Sequence, residues 1–431
     1  MNNLTGLFFK TLNSVKKDKF LVSSAIFFGG SLLASAGNYL FHFLMARMLA
    51  IETYGELQSL IAVFVIIGIP VSALSTVLVK YTADFKAKQQ LGKVFSLLSF
   101  FTKKALFIGI IFLVVFLIFN GYIANFLKLT SGLPVMILAI SFLVVFPRSI
   151  NYGIIRGLEK FKFASIVLVA EVFLKIVLAV LLVKIGLTLN GVVGAVVLAG
   201  VISYFISFFP LRYLFKEKKE KIETRKILKY FFPTFFILLF ITLLYNMDVV
   251  LVKHFFSAKT AGEYGALAVI GRIIFFIGGP IVSVMFPMTA SAYTSRSSST
   301  KIFKKSIFLV SLVGLIVLVF YFIFPNFVIK MLVGSKFLAI GKFLGWFGIA
   351  MFLCSLVNLF LQYFLSIGKT KCVYLVVTGV LLQVVLISAF HNSLWQVIFI
   401  MNSVMFLTLM LLVGYYLRVS RQKATVMKPV L

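Results

Sequence analysis

Five ionisable side chains stand inside stretches that are otherwise apolar: Asp248, Arg272, Arg148, Glu171 and Lys175. A charge in hydrocarbon costs roughly 2.5–3.5 kcal/mol by insertion scales, so such a group faces water, an opposite charge or a ligand. Asp248 lies in Asn246-Met-Asp248-Val-Val-Leu-Val-Lys253-His254, and Arg272 lies in the next apolar run, which ends in Gly278-Gly279-Pro280. At about 1.5 Å per residue, Arg272 sits roughly 12 Å below the outer end of its helix, a depth similar to that of Asp248. Two chemistries fit this placement. The side chains form a structural ion pair between adjacent helices, or they line a water-filled cavity where Arg272 meets an anionic headgroup and Asp248 orients it or binds a cation. Arginine suits the anionic role because its planar fork donates paired hydrogen bonds to phosphate.

Arg148 follows Pro147, roughly 10 Å above the inner end of its helix by the same rise, with Asn151 and Tyr152 on its face. It either lines the same space or snorkels to the inner headgroups. Glu171 and Lys175 are spaced i,i+4 at the centre of the next helix, the spacing of a mutual structural pair, with ion coupling as the functional alternative. Arg47, at the outer end of the first helix, is an interface anchor unless it turns inward to a substrate. His42, His254 and His391 show no metal-ligand spacing. With no phosphate-binding glycine loop, nucleophile elbow or carboxylate cluster outside the apolar runs, no metal, cofactor or enzymatic chemistry is expected.

The elements that hold these residues follow from composition. The 431 residues are 62% apolar and 12% charged, against about 45–50% and about 25% in soluble domains. Apolar runs of about twenty residues recur along the chain, and their continuity excludes a β-barrel, whose segments alternate over about ten residues. Runs near residues 21–48, 54–79, 105–127, 133–155, 163–185, 190–214, 230–254, 262–288, 306–332, 341–366, 372–390 and 394–417 predict twelve transmembrane helices.

If the N-terminus is cytoplasmic, inner segments carry 31 Lys and Arg and outer segments eight, alternating loop by loop as the positive-inside rule requires. That pattern accounts for the net charge of +31 without nucleic acid and puts both termini in the cytoplasm. The first apolar run continues to about Met48 without a small-residue cleavage site, so it reads as a retained helix rather than a signal peptide. Cys354 and Cys372 read as packing residues. The segment from Lys80 to Lys104 mixes bases with Phe95, Leu97, Leu98 and Phe101 and is expected to lie partly on the inner surface. Ser291 to Thr300 is Ser-rich and expected to be mobile.

The chain also repeats. Moving back 210 positions places Asp248 on Asn38, Tyr264-Gly265 on Tyr54-Gly55, Ile277-Gly278 on Ile67-Gly68 and Pro280 on Pro70. The expected architecture is therefore all-α, a polytopic membrane protein of two parallel six-helix pseudo-repeat bundles: residues 1–215, a charged cytoplasmic linker at 216–229, and residues 230–431 with a short cytoplasmic tail. Asn38 joins Arg272, Asp248, Arg148 and Arg47 as a candidate substrate contact. Pro70 and Pro280 are matched kinks, read either as hinges or as static packing geometry.

Ala46-Arg47-Met-Leu-Ala-Ile-Glu-Thr-Tyr54-Gly55-Glu-Leu resembles the first outer turn of bacterial polysaccharide (O-antigen type) flippases of the multidrug/oligosaccharidyl-lipid/polysaccharide exporter superfamily. Asn246-Met-Asp248 through His254-Phe-Phe with Ala261-Gly-Glu-Tyr264-Gly resembles their seventh-helix motif, and Arg156-Gly-Leu-Glu-Lys160-Phe161 is similar to their fourth-to-fifth-helix loop. The resemblance implies a transporter in the bacterial inner membrane that moves polyprenyl-pyrophosphate-linked oligosaccharide to the outer leaflet by alternating access, for cell-surface polysaccharide such as lipopolysaccharide. It implies a polysaccharide polymerase and glycosyltransferases as partners. A cation-coupled multidrug exporter of the same superfamily is the alternative.

Overall fold

The computed structural model describes residues 19–294 and 299–426. The expected mobility at positions 295–298 and the placement of both chain ends lie outside them. Among the described residues there are helices and no strands. The long helices are α1 (Lys19–Met48), α2 (Ile51–Ala87), α3 (Leu91–Ile118), α4 (Leu133–Gly157), α5 (Phe161–Lys184) and α6 (Thr188–Phe208). In the second half they are α7 (Thr224–Phe255), α8 (Ala258–Gly271, Ile273–Ile277 and Gly279–Thr294 in succession), α9 (Ser299–Ile323), α10 (Gly341–Ser366), α11 (Val373–Ala389) and α12 (Leu394–Val426). Eleven described helices are long and apolar enough to cross a membrane. Together with α1 they make the expected twelve.

The structure differs from expectation at the inner ends. Lys80 to Lys104 forms the facing ends of α2 and α3, joined by a turn over Lys88–Gln90. The physical reason is length: 37 residues of α2 rise about 55 Å, well beyond a hydrocarbon core of about 30 Å, so the basic end continues as helix into water. The third helix begins earlier than expected and breaks at Phe119, where Asn120 and Gly121 interrupt the pattern and a short helix, Asn120–Phe126, follows. A short helix, Pro325–Leu332, follows α9 in the same way.

Packing divides the chain into two compact units: Met1–Met45 with Pro70–Asn125 and Thr130–Thr234, and Ala46–Ile69 with Phe126–Leu129 and Phe235–Leu431. This partition is distinct from the sequence repeat. It cuts α2 between Ile69 and Pro70, and α7 one residue after Pro233, between Thr234 and Phe235. In the first unit α3 and α4 pack through Phe112, Phe116, Phe142 and Phe146, whose ring centroids lie 5.0–5.6 Å apart. The charged linker is tied to α3, because Ser96 Oγ donates to the Glu220 carbonyl at 2.7 Å and accepts from its N–H at 3.0 Å. Lys160, in the loop before α5, donates to the Pro210 carbonyl at 2.6 Å, and burial pulls its ammonium below the usual lysine range.

In the second unit α10 is the most buried of the spans. The start of α2 crosses the start of α8 through glycine: a Cβ on Gly55 would lie 2.7 Å from the Gly262 nitrogen, and one on Gly265 would lie 2.9 Å from Gln58 Cγ. The twin tyrosines Tyr54 and Tyr264 are both fully buried beside this crossing. Two polar clasps flank it. Arg47, near the end of α1, donates to the Lys330 carbonyl at 3.3 Å and to that of Met331, capping the short helix Pro325–Leu332. Lys336 reciprocates by donating to the Arg47 carbonyl at 3.3 Å and to that of Leu49. About 207 positions away the pattern recurs: His254, near the end of α7, bonds the Phe126 carbonyl at 2.8 Å, and Lys128 reaches the Phe256 carbonyl at 3.5 Å. In each clasp a lysine, Lys336 or Lys128, meets the orphan carbonyls at a helix C-terminus, where the dipole favours positive charge.

Candidate functional site

The ionisable residues fall into two clusters, one in each unit. In the second unit Arg272 sits at the break between the first two segments of α8, and its guanidinium meets Asp248 of α7 at 3.0 Å. Asp248 is wholly buried, and its other oxygen accepts from Tyr264 Oη at 2.9 Å. Tyr264 Oη also lies 3.0 Å from Met401 Sδ, and its ring stands edge-on to Phe347. Arg272 keeps a buried Nε without a partner and lies 5.9 Å from the Tyr245 ring centroid. Of the two chemistries open for this pair, the geometry forms the ion pair, with both carboxylate oxygens engaged. Tyr264 is the participant that sequence reasoning framed as a repeat marker without giving it a role. Its spacing of 16 residues from Asp248, across a tight turn between two helices, is the signal that places it there.

The first unit holds the second cluster. Arg148 of α4 pairs with Glu171 of α5, and Lys175, one turn further along α5, donates to Asn38 Oδ1 of α1. Asn38 is fixed in turn by its Nδ2 bond to the Ala34 carbonyl at 2.9 Å. The i,i+4 pair expected between Glu171 and Lys175 is therefore not the contact formed. An arginine on the neighbouring helix competes for the carboxylate, and its fork matches two oxygens where an ammonium is a point charge. Lys175 also lies 4.5 Å from the Phe41 ring centroid, whose face attracts its charge. Arg148, Glu171, Ser149 and Tyr152 line a cavity of about 50 Å³, enough for a water molecule. The Arg148 and Glu171 side chains remain 17% and 25% exposed, unlike the sealed Asp248.

The clusters are related through the repeat. Asn38 and Asp248 occupy equivalent positions, and each accepts from a cation of its own half, Lys175 or Arg272. The first is neutral and the second negative. The first cluster, counting Arg148, Lys175 and Glu171, therefore keeps one positive charge in excess, and the second is balanced. Arg47 joins neither cluster; it serves the clasp. Lys253 is 1% exposed, and its Nζ has no hydrogen-bond partner among the described residues. Pro70 lies inside the unbroken α2, whereas Pro280 is the second residue of the last α8 segment.

Residues 20–293 match the family described as polysaccharide biosynthesis protein. No curated protein sequence matches the chain. Among solved structures the chain is similar to an inward-facing multidrug resistance MATE family transporter of the MOP superfamily, with 13% identity over 92% of this chain and 96% of that one, at a TM-score of 0.79. It is similar to the lipid II flippase MurJ in an inward closed conformation, with 16% identity over 92% of this chain and 87% of that one, at a TM-score of 0.70. A MOP superfamily transporter from Pyrococcus furiosus, described as having a binding pocket of reverse polarity, matches with 15% identity over 94% and 95% of the two chains, at a TM-score of 0.63. The long apolar helices and this shared fold make the chain a multi-pass membrane protein, and the match over residues 20–293 shows that it belongs to the polysaccharide biosynthesis protein family.

Proposed function

We propose that the chain is a flippase that carries polyprenyl-pyrophosphate-linked oligosaccharide from the inner to the outer leaflet of a bacterial cytoplasmic membrane. In this reading residues 1–215 and 230–431 are the two bundles, the linker at 216–229 and both termini are cytoplasmic, and access alternates between the two faces. Glycosyltransferases make the cargo and a polymerase consumes it. The observation that carries the proposal is the positive excess of the Arg148–Glu171–Lys175–Asn38 cluster at membrane depth. An uncompensated cation in hydrocarbon is costly unless an anion visits it. A sugar-pyrophosphate head is such an anion, and its polyprenyl tail stays in lipid.

Direction needs no second ion. Moving one charge through 100 mV is worth about 2.3 kcal/mol, so an inside-negative potential favours outward passage of a doubly negative head by roughly 4–5 kcal/mol. The alternative, a cation-coupled drug exporter, needs a carboxylate free to bind the cation. Asp248 and Glu171 are both engaged by arginines. Vesicles holding the purified protein decide between the two: the proposal expects transfer of labelled lipid-linked oligosaccharide that a membrane potential accelerates. Uptake of cationic drugs driven by a sodium or proton gradient, with the lipid-linked sugar left in place, contradicts it.

A further inference from the structure

Beyond the transported cargo, we infer a phosphate-binding site at the inner end of the second unit, in a cavity of about 490 Å³ between the α10–α11 turn and the last turns of α12. Its walls are Gly368, Lys369, Thr370 and Lys371 on one side and Tyr415 and Arg418 on the other. Three cations converge there, and among the described residues none of them is in an ion pair. No acidic side chain of α9 to α12 or of the segments joining them can supply one, because between Glu263 and Arg418 the sequence contains no Asp or Glu.

The geometry points to a phosphate. Lys369 precedes the 3-10 turn Thr370–Cys372 that opens α11 and Lys371 lies within it, so both ammonium groups are carried by the loop that forms one wall. Arg418, from the opposite wall, adds a guanidinium able to grip two phosphate oxygens. Gly368, at φ +72°, turns the chain between α10 and this loop and lines the cavity itself. The ends of α10 and α12 and the exposed Tyr374 ring put the site at headgroup level on the face assigned to the cytoplasm, where anionic lipids concentrate. The ligand is a phosphate group, either of an anionic phospholipid or of a soluble phosphate compound.

The test is the rate at which an amine-acylating reagent modifies Lys369 and Lys371 in the full-length protein, read by peptide mass spectrometry. The three conditions are nanodiscs of phosphatidylcholine, the same nanodiscs with phosphatidylglycerol, and phosphatidylcholine nanodiscs with millimolar inorganic phosphate. The expected result is several-fold protection of both lysines by phosphatidylglycerol, greater than that of Lys301 and Lys304, and most of it lost in Arg418→Gln. Protection by inorganic phosphate of equal size identifies a soluble ligand for the same site. Equal labelling in all three conditions, or protection no greater than at Lys301 and Lys304, overturns the inference.

Discussion

At Asp248 the cost of removing a carboxylate from water is met by one guanidinium and one phenol. Removing one partner of a buried pair costs about 3–5 kcal/mol, whereas replacing both by apolar groups of similar volume is often neutral. Arg272→Ala and Asp248→Leu singly are therefore expected to lower the melting temperature sharply, with the double substitution Asp248→Leu/Arg272→Met recovering most of the loss. Tyr264→Phe removes a bond to a charged acceptor and is expected to cost about 1.5–3 kcal/mol. Melting of the detergent-solubilised variants in a double-mutant cycle checks all of these, and additive losses at positions 248 and 272 contradict the pairing. The Asp248–Arg272 pair was legible in the sequence because both charges had similar depths on consecutive helices. The Arg148–Glu171 pair was not, because i,i+4 spacing reports only neighbours on one helix, and α4 and α5 bring a stronger competitor alongside.

The helices themselves were legible from apolar runs of spanning length, and their inner ends were not. A run of lysines looks like a loop, but nothing in water stops α2 until Ala87, and a three-residue turn is enough to reverse the chain. The same distinction separates the two prolines. Pro70 removes a hydrogen bond from the middle of a continuous 37-residue helix, while Pro280 stands in a first turn where the missing N–H has no intrahelical partner to lose. Pro70→Ala is therefore expected to slow transport several-fold with melting unchanged or raised, and Pro280→Ala to have the smaller effect; equal effects contradict this asymmetry. The clasps make a further prediction at this scale. In a protein with Cys354 and Cys372 replaced by alanine, a cysteine introduced at the buried Gln58 tests them. Lys128→Gln together with Lys336→Gln should raise its labelling by an impermeant thiol reagent added from outside. Unchanged labelling means that the clasps do not hold this crossing shut.

The whole molecule combines a family that serves polysaccharide biosynthesis, a fold shared with lipid and drug transporters, and membrane-embedded charge that is unevenly divided between its two units. The duplication was legible as a 210-residue offset of Tyr-Gly and Gly-x-Pro frames. Its consequence, that one copy of the polar position is a neutral Asn38 holding Lys175 and the other a charged Asp248 holding Arg272, required the partners to be seen. The central claim is that the positively charged copy receives the cargo's pyrophosphate. The most direct measurement is translocation of labelled polyprenyl-pyrophosphate-linked oligosaccharide in vesicles carrying the wild-type protein, Lys175→Gln or Arg148→Gln/Glu171→Gln, with melting temperature recorded alongside. The account predicts that both variants stay folded and lose transfer by at least about tenfold, the loss of one or more good charge-assisted phosphate contacts. Wild-type rates in folded Lys175→Gln and Arg148→Gln/Glu171→Gln proteins would contradict it.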